Sequence, residues 1–193
     1  MFSPFNLCIF EPLDNNGYEA VYFKNTFKDE SKGLVIPGDG PKLLPHGVSG
    51  FGNHPISEPY KKTELGIDTF TNIIKQNLES SSLEEEVIKL LNIDQHMYPD
   101  EQMQKQSGIN SIISNQKESD FSAELENEEI KSMLNKEKLL SSIFVDIGAS
   151  YGTRMQTIIF VDYKRNVKFI ERTRVSNTFP IKWDVKEFNF NFD

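Results

Sequence analysis

Two glycine-turned stretches carry side chains that could do chemistry. In GFGNHP, residues 50–55, Gly50 and Gly52 allow a tight backbone path that brings the amide of Asn53 to an exposed edge. An amide in that position can donate hydrogen bonds to an oxyanion. In SYGTRMQTIIFVD, residues 150–162, the Tyr151-Gly152 turn presents the guanidinium of Arg154 at the mouth of an apolar run. An arginine there can grip a carboxylate or keep a nucleophile's surroundings positive. Each stretch also has a plain structural reading, a turn for the asparagine and an anchoring ion pair for the arginine.

The other chemical signatures are weak. The three histidines, His46, His54 and His96, have no Cys partners and no His-Glu-x-x-His spacing, so a zinc site is not expected. GDGPK at Gly38 to Lys42 lacks the Gly-Lys-Ser/Thr ending of a phosphate-binding loop and reads as a Gly-Pro turn. Cys8 lies within FNLCIF, where a thiol packs as a small apolar group.

Composition narrows the partners. With 21 Lys+Arg against 29 Asp+Glu the 193-residue chain carries a net charge of -8, the wrong sign for neutralising phosphates. Nucleic acid is therefore not an expected partner. The single cysteine and the lack of an Asn-x-Ser/Thr sequon suggest a reducing compartment. No apolar run approaches the ~20 residues that span a bilayer. The opening MFSPFNLCIFEP has no basic leader, so the chain reads as soluble and cytoplasmic.

Positioning the two loops requires a mixed α and β framework. FNLCIF and YEAVYF flank a reversal containing Asn16-Gly17, which predicts an antiparallel hairpin. Leu34 to Ile36 and Gly47 to Ser49 can form only short strands between Gly and Pro. Leu65, Ile67, Phe70, Ile73, Ile74 and Leu78 follow the helical period, and a second helix is expected over Leu83 to Leu91 with Ser80 to Ser82 as N-cap candidates. Residues 79–101 hold seven acids against Lys89 alone, a net of -6 within the total of -8, which reads as a solvated face. Residues 79–137 form an acidic and polar variable insertion, with 101–136 expected to be the least ordered part. MQTIIFVDY and NVKFIERT make a second hairpin whose turn places Asn166 in the left-handed region. TIIFVD is apolar in both alternation phases and should be buried on both sides, whereas EFNFNFD should be buried on one. The expected class is α+β, with two stacked antiparallel sheets and the 65–78 helix on an outer face.

FNLCIFEP, GFGNHPISEPYKKTELGIDTF and YGTRMQTIIFVDYKRNVKFIERT, with the strand that follows from Trp183 to Phe190, resemble the C-terminal two-thirds of the transport and Golgi organization protein 2 family, also called the NRDE family. The resemblance covers residues 5–78 and 138–193. It implies an N-terminal nucleophile hydrolase-like αββα sandwich, here incomplete at its N-terminus. It places Asn53 on the oxyanion side and Arg154 near the nucleophile of a cysteine-type amide hydrolase, with Gly50, Gly52, Tyr151 and Gly152 shaping the site. The Met-Cys-Ile start and Asn-Arg-Asp-Glu motif of the family are absent, so the chain as it stands is expected to be non-catalytic. The implied role is Golgi organisation, protein secretion and the handling of haem or acyl-CoA. An anionic ligand, or a protein partner at an unpaired sheet edge, is the expected contact, and Golgi or mitochondrial association follows by the same resemblance. An amide hydrolase whose N-terminal half is missing, or a ligand-free interaction domain, would fit the same residues.

Overall fold

A computed structural model describes residues 5–13, 17–25, 27–29, 34–36, 39–107, 128–148, 151–176 and 180–191. The N-terminal sheet is built from β1 (Asn6–Pro12), β2 (Tyr18–Lys24) and β5 (Asp39–Leu43), in the order β1-β2-β5. β1 and β2 pair in antiparallel register from Asn6↔Lys24 to Pro12↔Tyr18, and Leu13 N–H donates to Gly17 O to close the hairpin. β3 (Phe27–Asp29) and β4 (Leu34–Ile36) form a separate two-stranded ribbon. Gly47 to Ser49 is not a strand: it bends, with Gly47 at φ +119°, and then runs into the GFGN loop. That left-handed backbone suits glycine and breaks an extended ladder.

Helix α1 (Lys61–Lys75) buries Ile73, and its apolar residues fall at the spacing the sequence predicts. Its start depends on a distant side chain. Residue 60 is a tyrosine that supplies no cap, and the Lys61 N–H is instead accepted by Asp100 Oδ2 at 2.7 Å. Asn77 adopts φ 49° just beyond its end, the left-handed residue that stops many helices. Helix α2 (Ser80–Leu91) begins three residues earlier than the sequence suggests. Glu79 is its N-cap, with no side-chain cap bond, and Ser80 to Ser82 lie inside the first turn. Helices α3 (Glu101–Ser107) and α4 (Glu128–Leu140) complete the four helices of the described residues. The insertion expected over 79–137 therefore opens with α2, whose Val87 is a core residue; residues 108–127 lie outside the described residues.

The C-terminal sheet consists of β6 (Met155–Val161), β7 (Asn166–Arg174) and β8 (Trp183–Asn191), antiparallel in the order β6-β7-β8. Arg165, not Asn166, takes the left-handed position in the β6–β7 turn, at φ 65°. Asp162 organises that turn. Its carboxylate accepts the Lys164 and Asn166 backbone N–H groups and the Asn166 side-chain amide. The core lies where α2 meets this sheet: Val87, Ile158 and Ile170 are packed against Phe70, Leu83, Ile88, Leu91 and Phe160.

Burial on β6 alternates, in contrast to the expectation that both its faces are covered. Gln156 and Ile158 are buried, while Met155, Thr157, Ile159 and Val161 are exposed. β6 is moreover an edge strand. Helix α2 packs against Ile158 and Ile170, whereas Met155, Ile159 and Val161 of the opposite phase are exposed. β8 also departs from expectation: Phe188 and Phe190, on the face of EFNFNFD that should be buried, are exposed.

Candidate functional site

A cavity of about 840 Å³ opens between the GFGN loop, the first half of α1 and the end of α2. Its apolar wall includes Phe51, Ile67, Phe70, Leu91 and Ile143, and its polar groups include Asn53, Lys62 and Thr63. This size and this mixture are those of small-molecule sites.

Gly50 is required by close approach. A Cβ there would lie 2.8 Å from Ile67 Cγ1 and 3.1 Å from Thr63 Cγ2, so only glycine lets the loop lie against α1. Gly52 has more room, since a Cβ would sit 3.4 Å from the His54 ring. Asn53 is exposed at the rim, and its carbonyl accepts the Tyr60 hydroxyl at 3.5 Å.

His54 is 0% exposed and lies behind the cavity wall. Its Nδ1 is 2.9 Å from Pro55 O and its Nε2 is 2.8 Å from Thr63 Oγ1. A carbonyl can only accept, so Nδ1 carries the proton of the neutral ring and Nε2 accepts from the threonine hydroxyl. Burial holds the His54 pKa below its ordinary value, helped by the charges of Lys24 and Lys62 and opposed by the Pro55 hydrogen bond and Asp100. The Tyr60 ring meets the imidazole edge-on at 4.7 Å, and burial with the nearby Asp100 charge pushes its phenol up to about 12. Lys62 Nζ donates to Leu140 O at 2.7 Å, and burial lowers its pKa against the pull of Asp100.

The charge pattern puts Asp100 among the acids of a solvated face, and the structure corrects that. It is 1% exposed and accepts three backbone N–H groups, from Lys61, Gln102 and Met103. Those bonds replace the water a surface carboxylate would have.

The second predicted loop does not line this cavity. Gly152 bridges Asp146, Thr153 N–H donates to Val145 O at 2.7 Å, and the Thr153 hydroxyl accepts Val145 N–H at 3.1 Å. A Cβ on Gly152 would lie 2.8 Å from Val145 O. Tyr151 and Arg154 are exposed. The guanidinium that anchors the turn belongs to Arg174, whose Nη2 reaches Asp146 Oδ2 at 3.2 Å. Thr157, three residues past Arg154, does line the cavity. The structure thus brings Gly50, Gly52 and Asn53 to one cavity and leaves Tyr151, Gly152 and Arg154 off its wall.

Sequence reasoning missed Lys62, Thr63, His54 and Asp100 as a group. Their meeting depends on the 50–60 loop folding onto α1, and no local pattern encodes that. Cys8 is partly buried, which raises its thiol pKa and keeps it protonated. Among the described residues no group of three or more His, Cys, Asp or Glu could hold a metal ion. Nor, among them, is any helix long and apolar enough to cross a membrane.

Comparison with known proteins supplies what geometry cannot. The family model described as Transport and Golgi organisation 2 matches residues 1–176, running through the 79–137 segment that the sequence resemblance left out. A Mus musculus protein named Transport and Golgi organization 2 homolog is 23% identical over 192 residues, covering 98% of this chain and 57% of that relative. The chain thus spans little more than half the length of the relative it matches. With its family match extending through the four helices of the described residues and past the end of β7, the chain belongs to the Transport and Golgi organisation 2 family.

Proposed function

We propose that the chain binds a small amphipathic anion in the cavity between the GFGN loop and α1, and that it serves Golgi organisation and secretion through that ligand. The observation that carries this reading is the cavity's own chemistry: an apolar lining that also includes, among the described residues, one lysine, Lys62, with Asn53 and Thr63. An apolar chain fills the wall, and a carboxylate or phosphate meets the lysine. The family name and the relative's name support the cellular role, and Golgi or mitochondrial association belongs to the same proposal.

Of the two ligands the resemblance implies, an acyl-CoA suits these residues better than haem. Haem iron takes an axial His, Cys, Met or Tyr. Among the described residues the wall offers only Tyr60 of these, with a phenol held protonated near neutral pH by a pKa of about 12. His54 has both ring nitrogens engaged.

Calorimetric titration with palmitoyl-CoA and with haem tests the reading. Binding of the acyl-CoA, weakened about tenfold or more by Lys62→Met as expected for a lost charge-assisted contact, is the supporting result. Equal affinity in Lys62→Met and wild type, or heat only on haem addition, would sink it.

A further inference from the structure

The cavity wall holds a hydroxyl already paired with a base. Thr63 Oγ1 lies 2.8 Å from His54 Nε2, within the range that defines a nucleophile and its general base. The imidazole is held in turn by Pro55 O at 2.9 Å, which fixes the proton on Nδ1 and leaves the Nε2 lone pair toward the threonine. Thr63 lines the cavity, and Lys62, the cation of the same wall, is its sequence neighbour. The GFGN loop passes beside the pair with glycine at its nearest point. A Cβ on Gly52 would lie 3.4 Å from Nε2 and 3.9 Å from Oγ1.

We infer that Thr63 and His54 form a nucleophile–base pair that accepts the acyl group of a carboxylic ester seated in this cavity. The inference rests on the reading of the cavity as an acyl-binding site and adds chemistry to it. Thr63 Oγ1 attacks the carbonyl carbon, its proton passes to His54 Nε2, and the carbonyl π pair becomes an oxyanion whose charge the Lys62 cation offsets. The C–O bond to the leaving group then breaks, and the departing alkoxide takes the proton back from Nε2. Water repeats the sequence on the acyl-threonine, yielding the carboxylic acid and the free hydroxyl. No oxidant, metal or further reactant enters. The buried, neutral ring is in the protonation state this base requires, since burial keeps its pKa below the ordinary value.

The test is hydrolysis of p-nitrophenyl butyrate by the purified chain, with mass spectrometric mapping of the butyryl group. The expected result is butyrylation of the peptide containing Thr63. Hydrolysis should fall roughly a hundredfold or more in Thr63→Val and persist in Thr63→Ser. The rate should decline on acidification only below the ordinary histidine range. Butyryl groups found solely on lysines or on Cys8, or a Thr63→Val variant as fast as wild type, would overturn it. Mapping on the wild-type chain separates these outcomes even if a variant fails to fold. A fluorescent long-chain carboxylate separates the two readings: if it binds while p-nitrophenyl butyrate leaves Thr63 unacylated, the cavity reading stands and the pair is removed; if it does not bind, both are removed.

Discussion

The guanidinium of Arg174 meets the carboxylate of Asp146 at 3.2 Å and so ties the end of β7 to the turn that precedes β6. Its Nε also donates to Ser176 O at 2.9 Å, and the side chain is 4% exposed. Losing it strands one carboxylate and one carbonyl beside a turn already tight at Gly152. Arg174→Ala should therefore cost about 1.5–3 kcal/mol, while the exposed Arg154→Ala should stay within about 0.5 kcal/mol. Urea denaturation of both variants checks this, and an Arg154 effect equal to that of Arg174 would contradict it.

Asp100 holds two helix starts at once, accepting Lys61 N–H for α1 and the Gln102 and Met103 N–H groups for α3. Its replacement by alanine leaves three donors unmet in a buried place. A loss of about 2–3 kcal/mol is expected, above the usual single-cap figure of about 1. Asp100→Asn should recover part of it, because one oxygen still accepts. Chemical denaturation followed by helical circular dichroism distinguishes the three proteins.

The elements governed by local pattern are legible in the sequence. The FNLCIF–YEAVYF hairpin, the helix expected over 65–78 and the β6–β7 hairpin each depend on neighbours within about twenty residues of chain, and all three form, the helix as Lys61–Lys75 with Leu78 beyond its end. What escapes depends on distance along the chain. Asp100 caps a helix 39 residues away, so its charge reads as surface acidity. Arg174 and Arg154 are equivalent to a sequence reader; only the β6–β7 register, which sets Arg174 N–H against Arg154 O, shows which guanidinium reaches Asp146. Gly50 and Asn53 stand out because a glycine-rich loop signals close approach. Thr63 and His54 carry no signal, since a threonine in a helical first turn and a histidine before proline are ordinary until the loop folds over.

Glu137 of α4 is buried, and burial together with the Asp100 charge raises its pKa above the ordinary 4.5, against a lowering by the Gln104 side chain. The folded chain then binds this proton more tightly than the unfolded chain does. Its contribution is fully present below the ordinary value and is lost as pH rises through the folded pKa. Glu137→Gln keeps the neutral shape without the ionisation. It should be more stable than wild type at pH 7, with the gap closing toward pH 4. Denaturation midpoints for the two proteins across that range give the answer; a gap independent of pH would mean that Glu137 does not titrate on folding.

Ile159 and Phe188 share one face of the C-terminal sheet through the register Ile159↔Phe169↔Phe188, and they are 58% and 52% exposed. Met155 and Val161 on β6 extend the same apolar face along an edge strand. Water contact with so much adjoining apolar surface favours association, and an edge strand offers hydrogen bonds to guide it. The chain should therefore show concentration-dependent self-association in light scattering. Ile159→Lys places a charge in the middle of the face. Because the isoleucine makes little buried contact, its stability should change by no more than about 0.5 kcal/mol, while the association weakens at least several-fold. Substituting Lys24, which is buried, tests a different thing, and is the control for a fold effect: it should destabilise without a selective change in association. If Ile159→Lys associates as readily as wild type, the contact between copies uses another surface.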